Sequence, residues 1–262
     1  MKFSLKVKKA AKALRYTAWR SGNELGLLKG NPSFTPFIVL TRSRSGSNLL
    51  KNYLNSVSEV ECFGEVFRHP DRLGWDRPGI YPKDFGIETY RQDPAEFLKT
   101  HFLKTQPGYV KAAGFKLFYY HSREDGREGL WDFLKQRTDI RILHLRRKNL
   151  IKVIASRELA MKTGVWIDHS GGEQTDASVS ISPEAFKAEI ETTQQWERSL
   201  PEFFSEHPYQ ELVFEDLVKT PEASLSEIQQ FLGLSQSLKP ISATKRQAKR
   251  PLSEILENFD EL

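Results

Sequence analysis

Apolar residues in this chain gather in short unbroken runs. Each run ends in a polar turn, and apolar positions then recur three and four residues apart. Phe37-Ile38-Val39-Leu40-Thr41 is too short for a helix and shows no alternation, the pattern of a strand buried on both faces. From Ser47 the period changes: Leu49, Leu50, Tyr53 and Leu54 fall on one helical face that runs to Val57. The same reading gives strands at Glu59–Cys62, Ala112–Tyr120, Ile140–Leu145 and Glu211–Phe214. It gives helices at Pro94–Leu103, Leu130–Gln136, Asn149–Lys162 and Pro183–Phe204, with Ser182 as cap and Pro183 in the first turn. A further helix opens at Thr220-Pro221 and ends near Gly233. Strands alternating with helices predict an α/β, P-loop-like three-layer fold: a central, mainly parallel sheet of about five strands flanked by helices. Ligands of such sheets sit at the carboxyl ends of the strands.

Two stretches break the rhythm. Phe63–Gln92 and Thr163–Ser182 are long, polar and rich in Gly, Pro or Asp, as functional loops are. Residues 1–33 stand apart as a basic helical extension followed by a Gly- and Asn-rich loop from Ser21, and residues 34–262 form the main domain. Leu5, Val7, Leu14 and Trp19 lie along the apolar side of the first helix, which is either a solvated peripheral helix or a contact with a membrane surface.

Composition narrows the function. The 262 residues are 39% hydrophobic and 28% charged, enough for one large domain with a real core. No apolar run nears the roughly 20 residues of a membrane helix, and the first residues lack a secretory core, so a cytoplasmic protein is expected. Cys62 is the only cysteine, and the six histidines have no zinc-hydrolase spacing, so neither a disulfide nor a metal site is expected. Net charge is +5 and the pI about 9.1. The positive charge gathers at Lys2–Lys12, Arg141–Lys152 and Lys245–Arg250. Discrete clusters suit anionic small ligands; a nucleic-acid partner would call for one continuous stripe.

The chemistry centres on Arg42-Ser43-Arg44-Ser45-Gly46-Ser47-Asn48. A strand, a basic hydroxyl-rich turn and a helix N-terminus in succession present backbone N–H groups and a positive dipole to an anion. Arg44 adds a charged planar fork. The pattern is neither a triphosphate loop, which needs Gly-Lys-Ser/Thr, nor a dinucleotide fingerprint, which needs three spaced glycines. A polar turn with Ser47 or Asn48 as helix cap is the plain alternative. A second basic element, Arg146-Arg147-Lys148, ends the strand Ile140–Leu145 and leads into a helix carrying Ser156.

Arg44-Ser45-Gly46-Ser47 resembles the phosphosulfate-binding loop of sulfotransferases that use PAPS (3′-phosphoadenosine 5′-phosphosulfate). The strand-end cations with Ser156 resemble that family's grip on the 3′-phosphate, through Arg147 or, in another register, Lys148. Gly114-Phe115-Lys116-Leu117, Val213-Phe214-Glu215-Asp216-Leu217 with Pro221, Phe231-Leu232-Gly233-Leu234, and the segments around Thr244-Lys245-Arg246-Gln247 and Pro251-Leu252-Ser253-Glu254 extend the resemblance over most of the chain. It is nearest to the nodulation and trehalose-type enzymes of bacteria. The resemblance implies PAPS as cosubstrate without a metal, and an acceptor hydroxyl on a carbohydrate, a glycolipid or another small alcohol. It implies a cradle for the 5′-phosphate from Arg42 to Asn48, Arg44 as stabiliser of the transferred group, and Lys245 and Arg246 as further nucleotide contacts. Glu65 is the implied base, with His69 and His121 as alternatives. Trp75, Tyr81 and Trp166, in the two long loops, are read either as stacking on the acceptor or as core or lid packing. A homodimer is left open. The competing readings are a P-loop-type nucleotide kinase, a catalytically silent nucleotide binder and a nucleic-acid-binding module.

Overall fold

The computed structural model describes residues 5–71, 73–74, 86–123, 126–166, 176–241 and 250–262. Helix α1 (Leu5–Glu24) precedes strand β1 (Thr35–Thr41), helix α2 (Ser47–Leu54) and the short strand β2 (Val60–Cys62). Helices α3 (Ile87–Gln92) and α4 (Pro94–Phe97) follow, and the latter continues as a π-helical turn, Leu98–Phe102. Next come β3 (Ala112–Phe118), α5 (Gly129–Gln136), β4 (Arg141–Arg146), α6 (Leu150–Thr163) and α7 (Pro183–Phe203). The chain closes with β5 (Tyr209–Val213), α8 (Phe214–Lys219), α9 (Pro221–Leu232), α10 (Leu252–Ile255) and a 3-10 turn at Phe259–Glu261.

The five strands form one parallel sheet in the order β2-β3-β1-β4-β5. The expected three-layer α/β fold is therefore the observed one. Side chains of β1 alternate between two cores, as a strand covered on both faces requires. Phe37 and Val39 pack with Leu50 and Leu54 of α2 and with Leu225 and Ile228 of α9. Ile38 and Leu40 pack with Phe97, Phe102, Trp131 and Phe204 on the opposite face. Because β1 lies between β3 and β4, the turns that leave β1 and β4 open side by side at one edge of the sheet.

Two expectations need correction. The fifth strand begins earlier than read, at Tyr209, and Phe214 already opens α8. The first helix runs on through Ser21 to Glu24, into the expected loop. Its buried face carries Ala13, Tyr16, Thr17 and Arg20, and Val7 and Leu14 of the apolar side are exposed. Apolar burial and polar bonds together fix this helix. Tyr16 enters the core and its hydroxyl donates to Gln106 Oε1 at 3.2 Å. Lys12 donates to the carbonyls of Val57, at 2.9 Å, and Val60, which puts α1 against the edge strand β2 and covers groups an open edge would expose. No helix among the described residues is long and apolar enough to cross a membrane.

Candidate active site

The turn after β1 is built around two left-handed residues, Arg44 (φ 65°) and Gly46 (φ 93°). Gly46 is the residue that caps α2, and no side chain caps it, so neither Ser47 nor Asn48 plays the cap. A side chain at Gly46 would be strained by its φ and blocked besides: its Cβ would lie 2.1 Å from the Phe214 ring. The close approach that Gly46 allows is thus that of an aromatic ring of α8. Ser45 ties the turn down. Its hydroxyl lies 2.5 Å from Thr41 Oγ1 and donates to the Arg42 carbonyl at 2.8 Å, and Thr41 Oγ1 donates to the Leu145 carbonyl of β4 at 2.6 Å. Among the described residues, no acceptor takes the backbone N–H of Ser45, Gly46, Ser47 or Asn48. These groups point from a pinned turn and a helix N-terminus, the geometry that receives an oxyanion.

Arg44 turns across to α6. Its Nε donates to Ser156 Oγ at 2.8 Å, and its Nη1 to the Trp166 carbonyl at 2.6 Å. Arg147, from the end of β4, donates through Nη1 to the Arg44 carbonyl at 2.9 Å, and its guanidinium lies 4.6 Å from the centre of the Phe214 ring. Phe214 therefore wedges Gly46 and Arg147 into place together. Burial, with the Arg147 charge beside it, pulls the Arg44 guanidinium down to about 10, which still leaves it cationic at neutral pH. The fold holds these two strand-end cations near one another against their repulsion, an arrangement that an anion bound beside them would relieve.

Of the two registers considered for the second cation, Arg147 is the one that reaches the turn; the Lys148 side chain is exposed. The Glu215 carboxylate of α8 accepts the N–H groups of Lys148 and Asn149, at 3.2 and 3.3 Å, and Asn149 Oδ1 caps α6 at Lys152. Arg42 goes elsewhere. Its buried guanidinium donates to Glu189 Oε1 and Thr193 Oγ1 of α7, so at the turn only its backbone is available. Ser43 and Ser47 are buried within the turn. Lys245, Arg246, Trp75 and Tyr81 lie outside the described residues.

The base candidates separate clearly. Glu65, just beyond β2, faces Lys116 of β3: Lys116 Nζ donates to Glu65 Oε1 at 3.1 Å and to Asn48 Oδ1 of α2 at 2.8 Å. Burial pushes the Glu65 carboxyl up, but the Lys116 charge and hydrogen bond, helped by His121 and Arg68, outweigh it and hold the group below 4.5. His121 is pulled down to about 4, mainly by burial. Its Nδ1 also accepts the Phe118 N–H at 3.2 Å, so in the neutral ring the other nitrogen carries the proton and offers no lone pair. His69 is exposed, its backbone carbonyl takes the Tyr90 hydroxyl at 2.5 Å, and no hydrogen bond or ion pair among the described residues joins its imidazole to Glu65 or Lys116. Arg68 lies 3.7 Å from Glu65 Oε2 and 5.5 Å from the centre of the Trp166 ring. Trp166 thus bridges the Arg44 side of the site and the Glu65 side.

Lys116 is the site residue that the reading of the sequence left without a role. The signal was present: a single lysine inside the otherwise apolar run Ala112–Phe118 needs a partner if buried. Among the described residues no group of three or more His, Cys, Asp or Glu side chains is placed to hold a metal ion.

No family model matches the chain. In sequence it is similar to nodulation protein H of Rhizobium tropici, with 25% identity over 232 residues that cover 88% of this chain and 89% of the relative. The resemblance to nodulation-type sulfotransferases holds. Among solved structures, the chain aligns with a sulfotransferase from Alicyclobacillus acidocaldarius at a TM-score of 0.44 and 14% identity, over 82% of this chain and 86% of that one. It aligns with a mouse sulfotransferase complexed with PAP at a TM-score of 0.44 and 14% identity, over 85% of this chain and 67% of that one.

Proposed function

We propose that this protein is a sulfotransferase that moves the sulfuryl group of PAPS to a hydroxyl of a carbohydrate, glycolipid or other small alcohol. The observation that carries the reading is the meeting of Arg44, Arg147 and Ser156 at one sheet edge, across from the Lys116–Glu65 pair. The open N–H groups from Ser45 to Asn48 would receive the 5′-phosphate, and Arg147 with Ser156 the 3′-phosphate. These donors fit a ligand with anionic groups at two points and call for no metal. Lys245 and Arg246 are proposed as further nucleotide contacts on the strength of the family resemblance alone.

The chemistry asks little covalent work of the protein. The acceptor oxygen bonds to sulfur as the bond from sulfur to the phosphate oxygen breaks, and the acceptor's proton leaves. Arg44 and Lys116 would stabilise the charge that moves onto the departing phosphate oxygen. Glu65, ionised at neutral pH, takes the proton. Lys116 joins the carboxylate to Asn48 of the helix that follows the anion-binding turn, so base and stabiliser share one hydrogen-bonded chain from Asn48 to Glu65.

Transfer of labelled sulfate from PAPS to a panel of oligosaccharide and glycolipid acceptors, with ATP as the control donor, tests the reading. Wild type should label an acceptor, and Arg44→Ala should turn over at least ~100-fold more slowly, the scale for losing one preorganised donor. Near-normal turnover of Arg44→Ala, or phosphoryl transfer from ATP, would overturn it.

A further inference from the structure

We propose that the outward face of α1 and the turn after it dock on an anionic lipid surface. Residues 7, 10, 11, 14 and 18 are exposed and are Val, Ala, Ala, Leu and Ala. At 100° per residue they share an arc of about 100°, the width of an apolar helix face. The opposite face, with Ala13, Tyr16, Thr17 and Arg20, is the one buried against the domain. The apolar stripe therefore looks away from the protein.

The turn after α1 continues it. Leu25 and Leu27 are 74% and 76% exposed. This is no slack segment. The N–H groups of Leu27 and Leu28 donate to the Gly22 carbonyl at 2.8 and 3.1 Å, Asn23 Nδ2 to the Leu28 carbonyl at 2.7 Å, and Trp19 Nε1 to the Lys29 carbonyl at 3.2 Å. A hydrogen-bonded turn thus holds two leucines out into water. Of the ten large apolar side chains most open to solvent among the described residues, five are Val7, Leu14, Leu25, Leu27 and Leu28. Such a concentration marks a contact surface.

Charge selects the occupant. Besides Lys12 and Arg20, which turn to the domain, helix α1 contains Lys6, Lys8, Lys9 and Arg15, and its single acidic residue, Glu24, is its last. A basic helix with an apolar face is attracted to anionic headgroups and inserts that face at the headgroup boundary. A second copy of this chain would set two such basic helices against each other, which the like charges oppose. An acceptor with a lipid tail would be met at this surface, a consequence that rests on the transfer reading; the docking itself does not.

Sedimentation of the full chain with phosphatidylglycerol vesicles and with phosphatidylcholine vesicles tests the proposal without any activity assay. The protein should partition onto the former and not the latter, and less so as salt rises. Leu25→Ser combined with Leu27→Ser, both at exposed positions, should keep the wild-type melting temperature and weaken partition at least about tenfold. Leu14→Gln on the helix itself should weaken it as well. Failure to bind phosphatidylglycerol vesicles would overturn the proposal, as would binding untouched by either variant. So would a concentration-dependent dimer, seen by light scattering, that the leucine changes dissolve.

Discussion

Glu65 and Lys116 show how a residue's role is set by its partner. A carboxylate half shielded from water would ordinarily drift upward, yet the ammonium 3.1 Å away holds it below 4.5. The sign follows for both activity and stability. A carboxyl depressed in the folded state stabilises the fold above its unfolded pKa, and that contribution is lost as pH falls through the folded value. As the base, Glu65 works only when ionised, so kcat/KM should fall only on the acid side, below the usual carboxylate range, and stay level through neutrality. Glu65→Gln should abolish that limb and cost ~100-fold or more in rate. A limb near neutrality would point to a histidine with an ordinary pKa. A limb that survives in Glu65→Gln would rule Glu65 out as the base.

At the scale of elements, the turn between β1 and α2 depends on α8 as much as on its own residues. Phe214 fills the space a side chain at Gly46 would need and lies under Arg147. Gly46→Ala should destabilise the protein by about 2 kcal/mol or more, from positive φ and the steric clash together. In a Phe214→Ala background the same change should cost clearly less, which denaturant melts of the double-mutant cycle would show. Much of this level was legible in the sequence, for a physical reason. Strands buried on both faces are bare apolar runs, and the polar turn that closes each of them stands out, so Thr41 to Ser47 and Arg146 to Asn149 could be read directly. The face of α1 could not. Periodicity marks the apolar stripe with Val7 and Leu14, which is exposed, and does not show the docked stripe, where buried Ala13 and Tyr16 are joined by a tyrosine hydroxyl bond and a lysine reaching backbone carbonyls. Phe214 misled in the same way, because an aromatic residue after Leu212-Val213 suits a strand as well as the first turn of a helix.

Over the whole molecule, the turn after β1 is joined to helix α6 behind the site by α7. Glu189 accepts Arg42 on one carboxylate oxygen and Arg157, the neighbour of Ser156, on the other at 2.5 Å. Arg42 is buried, so loss of its carboxylate partner leaves a charge without compensation. Glu189→Gln should cost about 3 kcal/mol in a denaturant melt, and Glu189→Asp should recover part of it. An unchanged melt would mean that Arg42 finds another partner. These partners are far apart in sequence, and nothing local to Arg42 or Glu189 announces the pairing; this is why Arg42 reads as a ligand contact until α7 is seen beside it.

The central claim is that two cationic turns grip one nucleotide at two points, and calorimetric titration with 3′-phosphoadenosine 5′-phosphate and with 5′-AMP tests it most directly. Wild type should bind the bisphosphate at least about tenfold more tightly than 5′-AMP, the scale of one charge-assisted contact. Arg147→Ala should erase that difference while leaving 5′-AMP binding nearly unchanged. Equal affinity of wild type for the two nucleotides, or a preference that survives in Arg147→Ala, would contradict the two-point grip.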